Sequence, residues 1–489
     1  MNAAERPTAT VDRSPAVSST TGSLPAAPSR PWAGSARVAL LSAADALALL
    51  LAGVVAYLLW ALPVHGQDAA LYIGVTPAIV LILLGYGQAG LYPGFGLGPV
   101  EVLRRYVLVT ATAALVLAAL IFGLKLQNEY SRVTLALAFV LSLCLIGSFR
   151  WLVTRWARGR SWWPEPAVVI ADPDHSEAVR ALLDGSASKE FRPVAVLPPA
   201  VIASADGDEG AGNPSSVEYV RSGVEIAFTS LKGPGSEEVI DTLRLTFPRV
   251  IVLREFRDLP VEGVQVRNLG GLLGLEYGNN LLRRQSRWVK RSLDIGIAVV
   301  ALVVTTPLVV ASMLAVKVIS PGPALYRQER EGRRGETIRV PKIRTMAVDA
   351  EGRMEELLES DPGLREEWEN GFKLKNDPRI VPLVGRLLRR FSIDELPQLW
   401  SVVRGEVSLV GPRPFPAYHL DALAPQARRL RAEVRPGLTG LWQVEARGLA
   451  DVEVQQSYDV YYIRNWSVWL DLYILARTFG AVITGRGAY

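Results

Sequence analysis

The sequence predicts a membrane protein in three parts: an N-terminal four-helix transmembrane bundle, a Rossmann-like α/β middle domain, and a C-terminal, mostly helical domain with a re-entrant membrane helix. Three observations predict it. Hydrophobic residues make up 49% of the 489-residue chain and come in long blocks, which is the pattern of membrane spans. Between those blocks lies a stretch where short buried-strand runs alternate with helical ones. At roughly 150 residues per domain, a chain of this length also needs several structural units.

Charge and cysteine usage narrow the chemistry. A net charge of +5 in so apolar a chain reflects cytoplasmic loops facing anionic headgroups, so a lipid bilayer and no nucleic acid is the expected partner. The only Cys, Cys144, lies inside an apolar block, which excludes an intramolecular disulfide and a cysteine metal cluster. His65, His175 and His419 are too scattered to suggest zinc, so any metal would have oxygen ligands.

Residues 1–34 are rich in Ala, Pro, Ser and Thr without apolar periodicity and are expected to be a disordered tail. No short apolar core with a small-residue cleavage site follows the first basic residues, so a cleaved signal peptide is not expected. The bundle is expected over residues 35–160, with spans near Val38–Trp60, Leu71–Leu91, Leu103–Leu124 and Val133–Val153, each close to the ~20 residues that cross a ~30 Å hydrocarbon layer. Arg37, Arg104, Arg105, Arg150, Arg155, Arg158 and Arg160 flank one side, whereas the connection around His65 and Asp68 has no Lys or Arg. The positive-inside rule therefore puts both ends of the bundle in the cytoplasm. Asp45, near the cytoplasmic end of the first span, is expected to be solvated there.

Residues 161–282 read as soluble α/β. Ala167–Ala171 and Val250–Leu253 are buried-strand runs, with Ser176–Leu183 and Ser236–Leu245 helical. A dinucleotide site needs a Gly-rich turn after the first strand, and here that turn reads Ala171-Asp172-Pro173-Asp174-His175, so a degenerate Rossmann-like scaffold is expected. Ala200–Ser216 reads as a loop.

The next apolar block, Ile295–Val316, is uncharged and flanked by basic residues on both sides: Arg283, Arg284, Arg287, Lys290 and Arg291 before it, Lys317, Arg327, Arg330, Arg333 and Arg334 after it. Both flanks claim the cytoplasm, which one spanning helix cannot satisfy. Pro307 would break the helix, and the Thr305 and Thr306 hydroxyls would re-satisfy backbone groups there. A re-entrant helix is therefore expected over 288–319, with Thr306 and Pro307 at the break and Lys290 and Arg291 at the membrane interface. An ordinary kinked transmembrane helix also fits the pattern. Further on, Val384, Leu387, Leu388 and Phe391 lie opposite Arg386, Arg389 and Arg390, as in an interfacial helix or a core-facing one. Trp466, Trp469, Tyr473 and Phe479 suit headgroup depth.

The chemistry gathers at Phe391-Ser392-Ile393-Asp394-Glu395-Leu396-Pro397-Gln398-Leu399-Trp400 and at Gly411-Pro412-Arg413-Pro414. Ser392 and Glu395 have capping-box spacing, and Asp394 could equally be the N-cap, so both carboxylates are expected at a helix N-terminus. A carboxylate pair facing a diphosphate needs a divalent cation and arginines. Mg2+ takes carboxylate and phosphate oxygens, held here by Glu395 and Asp394. Arg389, Arg413, Lys342 and Arg344 are candidate phosphate clamps. One carboxylate could attack phosphorus while its neighbour holds the metal. A plain helix cap fits the same spacing.

From about Ser286 to Tyr489 the chain resembles the bacterial sugar transferases, the polyprenyl-phosphate hexose-1-phosphate transferases. The resemblance rests on Lys290-Arg291-Ser292-Leu293-Asp294, Ser320-Pro321-Gly322-Pro323, Gln328-Glu329-Arg330, Lys342-Ile343-Arg344-Thr345-Met346, Asp377-Pro378-Arg379, Asp394-Glu395 with its neighbours, Gly411-Pro412-Arg413-Pro414, Arg435-Pro436-Gly437-Leu438-Thr439-Gly440-Leu441-Trp442-Gln443-Val444 and Asp459-Val460-Tyr461-Tyr462. The preceding parts resemble the long members, and several motifs are most similar to undecaprenyl-phosphate galactose phosphotransferases. The resemblance implies that residues 283–489 form a phosphoglycosyl transferase catalytic domain at the cytoplasmic face of the bacterial inner membrane. Asp394 would be the nucleophile toward a UDP-sugar, releasing UMP, and Glu395 would bind Mg2+. Arg389 and Arg413 would hold phosphate groups, and Arg379 would bind substrate. Gln443, Arg447 and Asp459 would line the site. Undecaprenyl phosphate would then accept the hexose-1-phosphate, galactose or glucose, in the first step of a surface polysaccharide. The extra domains would suit a homodimer interface. A nucleotide-sugar dehydratase or epimerase would need a Gly-rich turn and a Tyr and Lys four residues apart, which are missing. A non-catalytic export scaffold would not need the intact Asp394-Glu395 pair.

Overall fold

The computed structural model describes residues 33–126, 128–171, 191–198, 224–230, 236–253, 265–269, 272–276, 284–346, 350, 352, 354, 359–360, 363–365, 379–416, 420, 423–446 and 452–484. The expected tail up to residue 32, the turn after Ala171, the loop at 200–216 and Arg447 lie outside the described residues. The chain forms two compact units, one of residues 1–98 and 104–255, the other of 99–103 and 256–489. Among the described residues five helical stretches are long and apolar enough to cross a membrane, the make-up of a membrane protein.

In the first unit, α1 (Ala33–Ala56) continues through a π turn, Tyr57–Ala61, into α2 (Leu62–His65). The second apolar block is divided into α3 (Ala69–Ile73) and α4 (Pro77–Gln88), because Pro77 at the start of α4 has no N–H to continue the preceding turn. Next come α5 (Pro99–Gly123) and α6 (Arg132–Ala157). Asp45 is not solvated as expected. It is fully buried, receives both Nε and Nη2 of Arg150 at 2.9 and 2.6 Å, and accepts from the Tyr92 hydroxyl at 2.6 Å. A carboxylate and a guanidinium facing each other between helices satisfy one another where water is excluded, so the charge read as a membrane-face flank is an internal tie between α1 and α6.

After α6, four parallel strands form one sheet in the order β2-β1-β3-β4: β1 (Glu165–Ala171), β2 (Phe191–Leu197), β3 (Ile226–Ser230) and β4 (Arg249–Val252). Ala167–Ala171 of β1 and Ile226–Phe228 of β3 are apolar runs because both sheet faces are covered. Val168, Ile170 and Ala227 pack with Leu243 of α7 (Ser236–Thr246), while Ala167, Val169 and Phe228 pack on the other side with Phe191.

The second unit begins with a hairpin of β5 (Gln265–Leu269) and β6 (Leu272–Glu276), then α8, Arg284–Ile319. The hairpin β7 (Leu325–Glu331) and β8 (Thr337–Ile343) follows. Beyond it lie α9 (Val384–Arg390), a 3₁₀ turn at Ile393–Gln398, α10 (Leu399–Arg404), β9 (Ser408–Val410), α11 (Pro425–Glu433), β10 (Gly437–Thr439), α12 (Leu441–Glu445), α13 (Val452–Arg464) and α14 (Val468–Thr484). β9 and β10 pair in parallel at the centre, where Val402, Val407, Leu409, Val410, Tyr462, Leu470 and Ile474 form the core with Ala298 of α8. Trp466 belongs to this core, with its Nε1 donating to Asp471, whereas Phe479 is exposed.

α8 runs as one helix through Pro307, so the expected break is not an interruption. The Thr305 and Thr306 hydroxyls do bond back, to Ala301 O at 2.7 Å and Leu302 O at 2.6 Å. The proline removes one backbone donor and can bend a helix without ending it. Both ends of α8 are tied to the second unit. Near its start, Arg291 reaches Val402 O and Val403 O at 2.6 and 2.8 Å, Lys290 reaches Val410 O at 3.0 Å and Asp471 at 2.8 Å, and Asp294 accepts from Ser408 Oγ at 2.7 Å. Near its end, Val309, Met313 and Val316 pack with Ile343, Leu388 and Ile393. Val300, Val303 and Val304, between the two anchors, are exposed.

Candidate active site

The carboxylate pair sits in the 3₁₀ turn, which opens from Ser392 in a left-handed conformation, φ 53°. The expected capping box does not form: Ser392 makes no side-chain cap, and the turn closes through Glu395 N to Ser392 O at 3.2 Å. Glu395 cannot reach back because its Oε1 receives Lys342 Nζ and Arg413 Nη2, both at 2.9 Å, and two bonds from full cations outweigh one from an uncharged backbone N–H. Lys342 comes from β8 and Arg413 from the loop after β9. That loop lies close to β10 because Gly411 and Gly437 have no side chain; a Cβ on Gly437 would strike the Gly411 backbone.

The two carboxyls are driven apart electrostatically. Burial, then the neighbouring Glu395 charge, pushes Asp394 up to about 6, against the pull of Lys342, Arg389 and Arg413. Burial would also raise Glu395, but the charges and hydrogen bonds of Lys342 and Arg413 outweigh it and hold that carboxyl well below its usual range. Glu395 is therefore a fixed anion, and Asp394 is a buried carboxylate with no comparable tie among the described contacts.

Of the expected site residues, Asp394, Glu395, Lys342 and Arg413 converge, with Arg389 close enough to act on Asp394 and anchored through Nε to Thr345 Oγ1 at 2.9 Å. Arg344 and Arg379 use their guanidinium groups elsewhere: Arg344 on Ser320 O and on Pro321 O at 3.4 Å, Arg379 on Ala350 O at 3.3 Å. Asp459 is buried against Arg431, whose Nη2 donates to Arg413 O at 2.6 Å and whose guanidinium lies 4.4 Å over the Phe415 ring. Burial pushes Asp459 up and Arg431 down, and each offsets this in the other. Gln443 Nε2 contacts Leu438 O of β10 at 3.5 Å. Thr306 and Pro307 lie within α8, and Lys290 and Arg291 are the internal anchors described above.

Sequence reasoning missed Arg330, Gln398 and Arg431. A pocket beside Glu395 is lined by Arg330, Lys342, Arg413, Gln398 and the Gly437-Leu438 backbone. Arg330 was within reach of the pattern, because β7 pairs Tyr326 with Lys342 and Arg330 with Ile338, and strand alternation then puts Arg330 and Lys342 on one face. Gln398 follows Glu395 by three positions, which a 3₁₀ turn eclipses. Nothing in the pattern of α11 marks Arg431 as inward-facing.

Among the described residues no cluster of three or more His, Cys, Asp or Glu side chains could hold a metal. Mg2+ in phosphate sites uses one or two carboxylates and takes its remaining oxygens from phosphates and water. The Asp394-Glu395 pair fits that pattern.

A family model for bacterial sugar transferases matches residues 285–485. The chain is 40% identical over 243 residues to an undecaprenyl-phosphate galactose phosphotransferase of Salmonella typhimurium, the match covering 49% of this chain and 50% of the relative. It is 40% identical over 200 residues to the exopolysaccharide production protein ExoY of Sinorhizobium fredii, covering 41% of this chain and 88% of the relative. It is 32% identical over 273 residues to a UDP-glucose:undecaprenyl-phosphate glucose-1-phosphate transferase of Escherichia coli, covering 54% of this chain and 55% of the relative. The matched stretch spans about half the length of the longer relatives.

Proposed function

Because the chain belongs to the bacterial sugar transferase family, we propose that it transfers hexose-1-phosphate, with galactose the favoured hexose and glucose the second reading, from a UDP-sugar to undecaprenyl phosphate. The reaction would open the synthesis of a surface polysaccharide. The observation that carries this reading is the division of labour in the carboxylate pair: Glu395 clamped by Lys342 and Arg413, Asp394 buried beside it without such a clamp. An Asp394 oxygen attacks the sugar-bearing phosphorus, and the bond to the leaving UMP breaks with its electron pair. An oxygen of undecaprenyl phosphate then attacks the same phosphorus and frees Asp394. Arg389, Arg413 and Lys342 neutralise charge on the phosphoryl oxygens. Mg2+, when bound by Glu395 and Asp394, supplies further neutralisation of the diphosphate.

The form of α8 supports a location at the membrane. A straight helix of 36 residues would extend about 54 Å, well past a ~30 Å hydrocarbon layer. Its two ends are anchored in the same unit as Asp394, while its middle exposes valines, which supports a re-entrant helix that enters and leaves on the cytoplasmic side of the inner membrane. Leu383 and Leu387, beside and on α9, are exposed as well. The helices of the first unit support a four-helix bundle, and its parallel sheet supports a Rossmann-like domain. The test is UMP release from UDP-galactose by the purified chain with undecaprenyl phosphate and Mg2+. Full turnover by Asp394→Asn would rule out the covalent route.

A further inference from the structure

Gln398 is 3% exposed and its Nε2 has no hydrogen-bond partner, yet it lines the pocket beside Glu395. An amide nitrogen carries two donors, and leaving them buried without an acceptor is costly. The carboxylate that lines the pocket among the described residues, Glu395, already receives Lys342 and Arg413 at Oε1. Three cationic side chains, Arg330, Lys342 and Arg413, line the same pocket. A buried amide donor among cationic side chains suits an anion rich in acceptor oxygens.

We propose that Gln398 and Arg330, together with Lys342 and Arg413, form a seat for a phosphate monoester that the departing nucleotide and the incoming lipid phosphate occupy in turn. The proposal rests on the two-step reading above. In an in-line displacement the attacking and leaving oxygens lie on opposite sides of phosphorus. In the first step Asp394 Oδ forms a bond to phosphorus, and the opposite P–O bond breaks to release a nucleoside monophosphate with the electron pair. In the second step a lipid phosphate oxygen forms its bond on that same side, and the Asp394–phosphorus bond breaks, returning the carboxylate. Both steps therefore put a phosphate monoester in one place, so one seat serves both and the two ligands exclude each other.

The experiment uses the full-length chain in lipid nanodiscs with UMP and undecaprenyl phosphate as probes. Gln398→Met and Arg330→Gln are each expected to weaken UMP binding, measured by calorimetry, by about tenfold or more, the size of a lost hydrogen bond to a charged group. The KM for undecaprenyl phosphate should rise by a comparable factor while kcat at saturation moves much less, and UMP should inhibit the wild-type chain competitively against undecaprenyl phosphate. A structural role for Gln398 would not shift the two ligands in parallel. The seat is refuted if both variants keep UMP affinity and lipid KM within twofold of wild type, or if only one ligand responds. Should Gln398→Met melt early, Arg330→Gln on β7 decides. If wild type neither binds UMP nor releases it from UDP-sugars, the proposed function falls with the seat; if wild type does both and the variants match it, the seat alone falls.

Discussion

Asp394 and Glu395 are neighbours in sequence whose surroundings assign them different work. With its pKa raised from 3.8 to about 6, Asp394, as the proposed nucleophile, would have to lose a proton before attacking. The sugar-transfer rate should therefore fall as pH drops through about 6, and a flat pH–rate profile between 5 and 7.5 would contradict the assignment. The same shift carries a stability consequence. A carboxyl whose pKa is raised on folding supports the folded state fully below its unfolded pKa, and that support is lost as pH rises through the folded pKa. Asp394→Asn should accordingly melt a few degrees above wild type at pH 7.5, with the gap closing toward pH 4; thermal melts at both pH values decide it. Asp459 belongs to another class. It touches Arg431, and Arg431 holds the Arg413 carbonyl, so Asp459 would act as a positioning residue. Asp459→Asn leaves a buried guanidinium without its counter-charge, which typically costs about 3–5 kcal/mol. Melting should drop, and the UDP-sugar KM should rise through a displaced Arg413, whereas an unchanged KM in folded protein would detach Asp459 from the site.

At the scale of elements, α8 was the most legible in extent and the least legible in form. Its uncharged length and doubly basic flanks were plain in the sequence, as were the threonines that bond back before Pro307. Pattern could not show that Lys290 and Arg291 turn inward, because a basic flank reads the same whether it meets headgroups or carbonyls. Only the fold reveals that Arg291 caps the last carbonyls of α10, where Gly405 turns at φ 88°. The carboxylate turn was misjudged for a related reason: Ser392-x-x-Glu395 spacing is correct for a capping box, but tertiary charge on Glu395 overrides a local cap. α8 yields a topological prediction. In a Cys144→Ser background, single cysteines at Arg287 and Arg333 should both react with a membrane-impermeant thiol reagent from the cytoplasmic side only. Labelling from opposite sides would make α8 a spanning helix. Lys290→Met, which strands the buried Asp471 carboxylate, should lower the melting temperature even where labelling is unaltered.

For the whole molecule, the catalytic chemistry and the two-unit architecture separate. Every residue placed around Asp394 belongs to the second unit, and the stretch matched to the shorter Sinorhizobium fredii relative, 41% of this chain, already makes up 88% of that protein. The first unit has its own core on both faces of a parallel sheet and its own internal ion pair, Asp45 with Arg150, so neither depends on the carboxylate site. It follows that residues 256–489 alone, in nanodiscs, should release UMP from the UDP-sugar within about tenfold of the full chain. Val100, from the short segment 99–103, is buried in the core cluster with Leu399 and Val402 and is lost in that truncation, a cavity that typically costs about 1–3 kcal/mol. Melting must therefore be measured alongside turnover. A truncated protein that melts normally but has lost a hundredfold or more in rate would show that the first unit takes part in catalysis. A protein that melts early and regains its rate at lower temperature would show that it contributes stability alone.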